Sequence, residues 1–281
     1  MNVLALTGLI GMGSAVAGYL GSLTGLGGGF IIIPLLTLVF GVDIRYAVGA
    51  SLVAVIATSS GAAAAYVKEG FSNIRIGMFL EIATTIGAIF GAFLALRLPT
   101  HAIAVIFGLV LMNSAYLSGR PREEDGGGAV KPDRLALLLK MNGAYPGPGG
   151  PRSYNVRSVP SGFGLMAIAG VLSGLLGIGS GAVKVLAMDQ AMRLPFKVST
   201  ATSNFMIGVT AAASAGIYLN KGYIDPGLTM PVVLGVLIGS TIGARHLFGV
   251  ETKKLRMIFG VVIVILAAQM IYSGLKGWII P

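Results

Sequence analysis

The chain has 281 residues, 55% of them hydrophobic and 11% charged, with a formal net charge of +10 and a mean hydropathy of +0.86. A soluble domain carries about 25% charged residues, so this chain cannot cover a water-facing surface and is expected to be integral to a membrane. It has no cysteine and two histidines, which excludes disulfides, thiol chemistry and Cys/His metal sites. Its Lys and Arg are scattered over loops between apolar runs, where they set topology, so no nucleic-acid partner is expected.

The first apolar run, 3–21, has no basic leader and no small-residue cleavage pattern, and reads as a retained span. The stretch TGLGGGF (24–30) follows, then a short apolar segment, 29–41, and longer ones at 46–68, 73–97 and 101–118. Runs such as 101–118 approach the roughly 20 residues that cross a bilayer, and they lack the alternation of a membrane barrel. The spans are therefore read as helices. Residues 119–160 are charged, then rich in Pro and Gly, and read as a flexible linker. Within it DRLALLLKM (133–141) reads as a short surface helix capped by Asp133. Apolar segments then resume at 161–176, 181–194, 198–219, 226–249 and 255–275.

The two halves share a pattern. AGYLGSLTGLGGG begins at Ala17 and AGVLSGLLGIGSG at Ala169, an offset of 169 − 17 = 152. The register holds without gaps through Gly25/Gly177, Gly27/Gly179, Gly29/Gly181, Ser51/Ser203, Thr58/Thr210, Tyr66/Tyr218, Gly70/Gly222, Gly87/Gly239 and Gly91/Gly243. The expected architecture is an all-α polytopic membrane protein of two homologous, inverted repeats (1–118 and 161–281) around a cytoplasmic linker (119–160). Each repeat has about five helical segments, one of them short and glycine-interrupted. Segments 29–41 and 181–194 rise only about 20 Å at 1.5 Å per residue and could instead be re-entrant. That alternative makes the repeats parallel and puts the basic 245–256 loop outside; five crossings per half place most Lys and Arg inside.

A glycine-interrupted short helix at matching places in two halves points to a transporter site. Glycine lets one helix end and another begin within the membrane. The new N-terminus exposes unpaired N–H groups and the positive end of its dipole, and two such ends can cradle an anion. Candidate ligands are Gly25, Gly27, Gly28 and Gly29 in the first cluster and Gly177, Gly179, Ser180 and Gly181 in the second. The bland reading of such glycines is helix packing, and it is preferred for Gly87, Gly91, Gly239 and Gly243. The second cluster lacks the GK[ST] ending of a phosphate loop.

Three ionisable residues lie inside spans, and intramembrane charge points to function. Lys184 falls in the first turn of the second short helix, where a cation is unfavourable unless an anion binds; the other reading is snorkelling to the interface. Glu81, at mid-span, reads as a proton carrier or as a neutral, hydrogen-bonded carboxyl. Asp189 reads as a proton carrier or as a partner of Arg193 one turn on. Polar residues in 48–61 and 199–212 supply further anion donors, Ser51, Thr58, Ser203 and Asn204, unless they bond back to their own helix.

The duplicated glycine segment, GLGGGFIIIP with Pro34, the following G-A-S-L stretch and the degenerate copy GLLGIGSG…STATSNF resemble the TauE/SafE family. The resemblance covers both repeats, roughly 3–118 and 161–275. It implies a small sulfur oxyanion, sulfite or an organosulfonate such as sulfoacetate, exported with the proton gradient as energy source. The second copy departs from the first, with Ala182 and Leu186 in place of Phe30 and Pro34, and it adds Lys184 and Asp189. The expected function is a secondary transporter working by alternating access at the cell membrane, with no cofactor, no metal and no enzymatic activity. The rivals are an uncoupled anion channel and a membrane assembly protein that transports nothing.

Overall fold

The structure is a computed structural model that describes residues 3–24, 28–68, 70–118, 133–147, 150–246 and 252–279. It is mostly helical. In chain order the described helices are α1 (Val3–Thr24), α2 (Gly29–Pro34), α3 (Ile44–Lys68), α4 (Ile74–Arg97), α5 (Thr100–Ser118), α6 (Arg134–Leu138), α7 (Val159–Leu176), α8 (Gly181–Leu186), α9 (Phe196–Asn220), α10 (Pro226–His246) and α11 (Thr252–Ile279). The hairpin β1 (Gly143–Gly147) and β2 (Gly150–Tyr154) lies between α6 and α7. Both short helices continue as a π-helical turn, Leu35–Val39 after α2 and Ala187–Ala191 after α8. Pro34 has no N–H to give the ladder. Leu186 holds that place in the second copy, so the π turn forms without a proline.

The long helices are apolar all round because their outer face meets lipid. On α4, Met78, Ile82, Ile86 and Phe90 are all more than half exposed, while Leu80, Thr84, Ala88 and Ala92 are fully buried. Among the described residues, three helical stretches are long and apolar enough to cross a membrane by length and composition: Ile74–Arg97, Val159–Leu176 and Pro226–Gly243. Shorter apolar helices cover Ala5–Gly21, Ile44–Ser60, Thr100–Tyr116 and Ile263–Gly277.

Helices pack in matched pairs. α1 lies on α10 and α4 on α7, while α3 lies on α9 and α5 on α11. Shifting by 152 residues turns the first pair into the second and returns the other two onto themselves. Backbone details recur at the same offset. Gly41 and Arg193 have positive φ (65° and 58°), as do Gly70 and Gly222 (76° and 74°). The Asn73 side chain accepts from the Ile76 N–H at the start of α4, and the Asp225 side chain from the Leu228 N–H at the start of α10. Two of the interfaces are glycine-lined: a Cβ added at Gly87 would overlap the Ala167 carbonyl on α7, and one at Gly239 the Ala15 carbonyl on α1. The packing reading of those glycines therefore holds at Gly87, Gly91 and Gly239.

The linker departs from the expectation of a flexible segment. Residues 119–132, 148 and 149 lie outside the described residues, but 133–147 and 150–158 fold onto the helices. Ala136, Met141, Tyr154 and Val156 are buried in one apolar cluster with Ile76, Leu80, Met188, Met192 and Val198. Asn73 ties the hairpin down, its amide donating to the Met141 carbonyl (2.9 Å) and to the Tyr154 hydroxyl (2.7 Å). The Pro/Gly composition that suggests flexibility is carried by an antiparallel ladder from Gly143↔Tyr154 to Gly147↔Gly150. Asp133 does precede α6, yet it makes no side-chain cap there. Its carboxylate instead accepts from the Val159 N–H (3.3 Å) at the start of α7, because α6 is a single turn held by the segment it packs on.

Candidate functional site

The two glycine clusters meet in the core. α7 ends at Gly177, whose φ of +66° only a glycine adopts freely, and whose N–H bonds to the Ser173 carbonyl. The chain turns through Gly179 (φ +68°) and Ser180 (φ +45°) before α8 begins at Gly181. Gly29, the first residue of α2, lies against this turn. A Cβ there would stand 2.8 Å from Ser51 Oγ, 3.1 Å from Ile178 Cα and 3.2 Å from the Gly177 carbonyl oxygen. Ser51 fixes the contact from α3 by donating to that carbonyl at 2.9 Å. Ser203 donates to the Gly181 carbonyl at 3.3 Å from α9. Gly28 closes the start of α2 by accepting from the Ile31 and Ile32 N–H groups. Gly25 and Gly27 lie outside the described residues.

Ser180 is fully buried, and its hydroxyl has no hydrogen-bond partner among the described residues. Asn204 is also buried. Thr58 follows the bland reading, bonding back to the Ala54 and Val55 carbonyls of its own helix. Asp189 sits half-buried in the π turn after α8.

The charged residues come together in a way their spacing does not announce. Lys184 is completely buried and donates from Nζ to Thr210 Oγ1 at 2.5 Å. The Thr210 hydroxyl has two acceptors in reach, Glu81 Oε1 at 2.6 Å and the Met206 carbonyl of its own helix at 2.9 Å. Thr85 donates to the same Glu81 oxygen at 3.1 Å. Glu81 is 8% exposed, and its second oxygen, Oε2, is buried without a partner among the described residues. The result is a buried relay, Lys184–Thr210–Glu81, built from α8, α9 and α4. Snorkelling is ruled out for Lys184, which turns inward. Sequence reasoning names Lys184 and Glu81 separately and misses Thr210 and Thr85. Thr85 carried a signal, since it lies one turn from Glu81 on the same helix face. Thr210 carried less, as one hydroxyl among many.

Buried ionised groups are tolerated when paired and hydrogen-bonded. This arrangement satisfies that only in part. An ammonium has three donors, and one is taken by Thr210. Among the described residues, two N–H groups of Lys184 and one oxygen of Glu81 remain without a bond. Chemically, such groups can hold an anion, a proton or both.

The relay also breaks the symmetry of the halves. At the 152-residue offset, Lys184, Thr210 and Glu81 correspond to Ile32, Thr58 and Val233. Ile32 is fully buried, and Thr58 is bonded to its own helix. One half-site is charged and its counterpart is apolar.

Comparison with known proteins identifies relatives over nearly the whole chain. The model of the family described as "Sulfite exporter TauE/SafE" matches residues 9–270. "Probable membrane transporter protein YunE" of Bacillus subtilis (strain 168) is 28% identical over 280 residues, covering 92% of this chain and 95% of the relative. "Probable membrane transporter protein YdhB" of the same organism is 28% identical over 222 residues, 79% of this chain and 82% of its own length. "Probable membrane transporter protein MJ0441" of Methanocaldococcus jannaschii is 24% identical over 271 residues, 91% and 92% of the two chains. No solved structure matches significantly. With its broken helices, its buried relay and a family match that runs through nearly the whole chain, this protein is a membrane transporter belonging to the TauE/SafE family.

Proposed function

We propose that the chain exports a small sulfur oxyanion, sulfite or an organosulfonate such as sulfoacetate, as a proton-coupled secondary transporter. The observation that carries this reading is the buried Lys184, with two N–H groups unbonded among the described residues, four positions after the unpartnered Ser180 at the start of α8. The helix start adds partial positive charge, and the second glycine cluster meets the first at Gly29. An oxyanion held there would draw on Lys184, Ser180 and Asn204. Glu81 is the proton carrier, with Asp189 a second candidate.

Burial supports alternating access. Lys184 and Thr210 are sealed from solvent, so helices must part before an anion arrives. The matched pairing of α1 with α10 and α4 with α7 supports two repeats that rock against one another. The loop charge bias supports inversion, with the linker cytoplasmic and the protein in the cell membrane. The lipid bilayer and the anion are its partners.

The test is sulfite flux in proteoliposomes with and without an imposed pH gradient, and with sulfate as competitor. Saturable flux that responds to the gradient is expected. Flux that ignores the gradient makes the protein a facilitator, and absence of flux from folded protein with sulfite and sulfoacetate removes this substrate class.

A further inference from the structure

We infer that Glu81 is a built-in competitor for the transported anion, so that a proton on Glu81 and an oxyanion on Lys184 bind together and cross together. This inference rests on the proposed anion site and adds the sense of its coupling.

The geometry carries the argument. Without substrate, the positive charge of Lys184 is balanced through the Thr210 hydroxyl by the Glu81 carboxylate, 2.5 Å on one side and 2.6 Å on the other. An oxyanion at the two remaining Lys184 donors brings a second negative charge to the same buried cation. Two anions beside one cation in a dry site repel, and the interior screens them poorly. Protonating Glu81 removes the excess. The bare Oε2, buried and unbonded, is the atom positioned to take that proton. The Thr210 hydroxyl then turns to its other acceptor, the Met206 carbonyl at 2.9 Å, and its lone pairs stay with Lys184. One rotating hydroxyl thus links the proton site to the anion site.

Among the described residues, Glu81 is the carboxyl that bonds to Thr210. α7, packed along α4, has no titratable residue; α9 carries only Lys197 in its first turn and Tyr218 near its end. α8 has Lys184 alone, and the π turn after it holds Asp189. On α4 itself Arg75 and Arg97 lie near opposite ends, Arg75 being exposed and directed to the Lys140 carbonyl. The counterpart half-site, with Ile32, Thr58 and Val233, offers no second proton–anion pair, so one proton accompanies each anion. Because the proton leaves with the anion, an inward proton gradient opposes export; outward movement is driven by the anion's own gradient, and an interior-negative potential adds to it only for an anion that carries more than one negative charge.

The experiment uses the full chain, with methanesulfonate as binding probe because its charge is constant across the pH range. Wild type should bind it roughly tenfold more weakly per pH unit toward the alkaline end, and should take up about one proton per anion. Glu81→Gln should bind at least tenfold more tightly at the alkaline end, with no pH dependence and no proton uptake. Glu81→Asp, which shortens the carboxylate but keeps it titratable, should retain a pH dependence. Lys184→Met should bind no probe. Equal affinities of wild type and Glu81→Gln at every pH, or binding without proton uptake, would overturn the inference. So would the absence of methanesulfonate and sulfite binding in both proteins. Linked binding without flux in vesicles would uphold the linkage of proton and anion binding and remove both their joint crossing and the transporter reading. Sulfite flux with pH-insensitive affinity would do the reverse.

Discussion

Thr210→Val tests the relay most directly, because valine has nearly the shape of threonine and removes only the hydroxyl. Thr210 is fully buried, so no water replaces what is lost. The Lys184 ammonium loses the acceptor at 2.5 Å, and Glu81 Oε1 loses one of two donors, keeping Thr85 at 3.1 Å. A hydrogen bond to a charged group is worth about 1.5–3 kcal/mol, and two are affected. The added methyl returns about 0.8 kcal/mol through burial. The net expectation is a loss of about 2–5 kcal/mol in unfolding free energy, read by urea or thermal unfolding in detergent. The same change in a Lys184→Met, Glu81→Gln background should cost less than about 1 kcal/mol, because both partners have become neutral. Additive losses in the two backgrounds, or a loss below about 0.5 kcal/mol in wild type, would show that the three residues are neighbours without being coupled.

Gly177→Ala should destabilise by about 2 kcal/mol or more, since alanine is strained at φ +66° and its Cβ would stand 2.6 Å from Val48 Cγ1; wild-type melting in this variant would contradict the turn geometry. Gly174→Val at the α4–α7 contact, where even a Cβ overlaps the Ala88 carbonyl, should abolish folded protein on size-exclusion chromatography, whereas Gly164→Ala, with open space around it, should not. Asn73→Ala removes the bonds to Met141 and Tyr154 and should expose the 143–154 hairpin to protease at least several-fold faster. Burial pushes the Tyr154 phenol above its ordinary value, with the Asn73 bond opposing. Its neutral form is therefore favoured in the fold, and that stability is complete below about pH 10 and fades as pH rises further. Tyr154→Phe should remove this alkaline loosening of the hairpin, followed by hydrogen exchange.

Much of the fold was legible in the sequence. The apolar segments match the helices within a few residues; segment 198–219 became Phe196–Asn220, and segment 226–249 became Pro226–His246. The breaks at the glycine clusters fell where expected because positive φ and an absent Cβ are local needs. The hairpin was not legible. Its strands are Gly-Ala-Tyr-Pro-Gly and Gly-Pro-Arg-Ser-Tyr, poor strand formers that hold only because Tyr154 and Met141 reach the buried surface of α4. Asp133 was placed correctly and given the wrong partner for the same reason, as Val159 is distant in sequence.

The chain alone determined that it belongs in a membrane, where its helices run and where they break. Hydropathy, glycine spacing and a gapless offset are properties of neighbouring residues, and neighbours act before any fold exists. Only the tertiary structure decided that Lys184 meets Glu81 through Thr210, residues separated by 26 and 129 positions at the two hydrogen bonds. Each of the three could be satisfied alone by lipid headgroups, a backbone carbonyl or a captured proton. Packing α4 on α9 across the boundary between the halves removes those choices and leaves one cation, one hydroxyl and one carboxyl to answer one another.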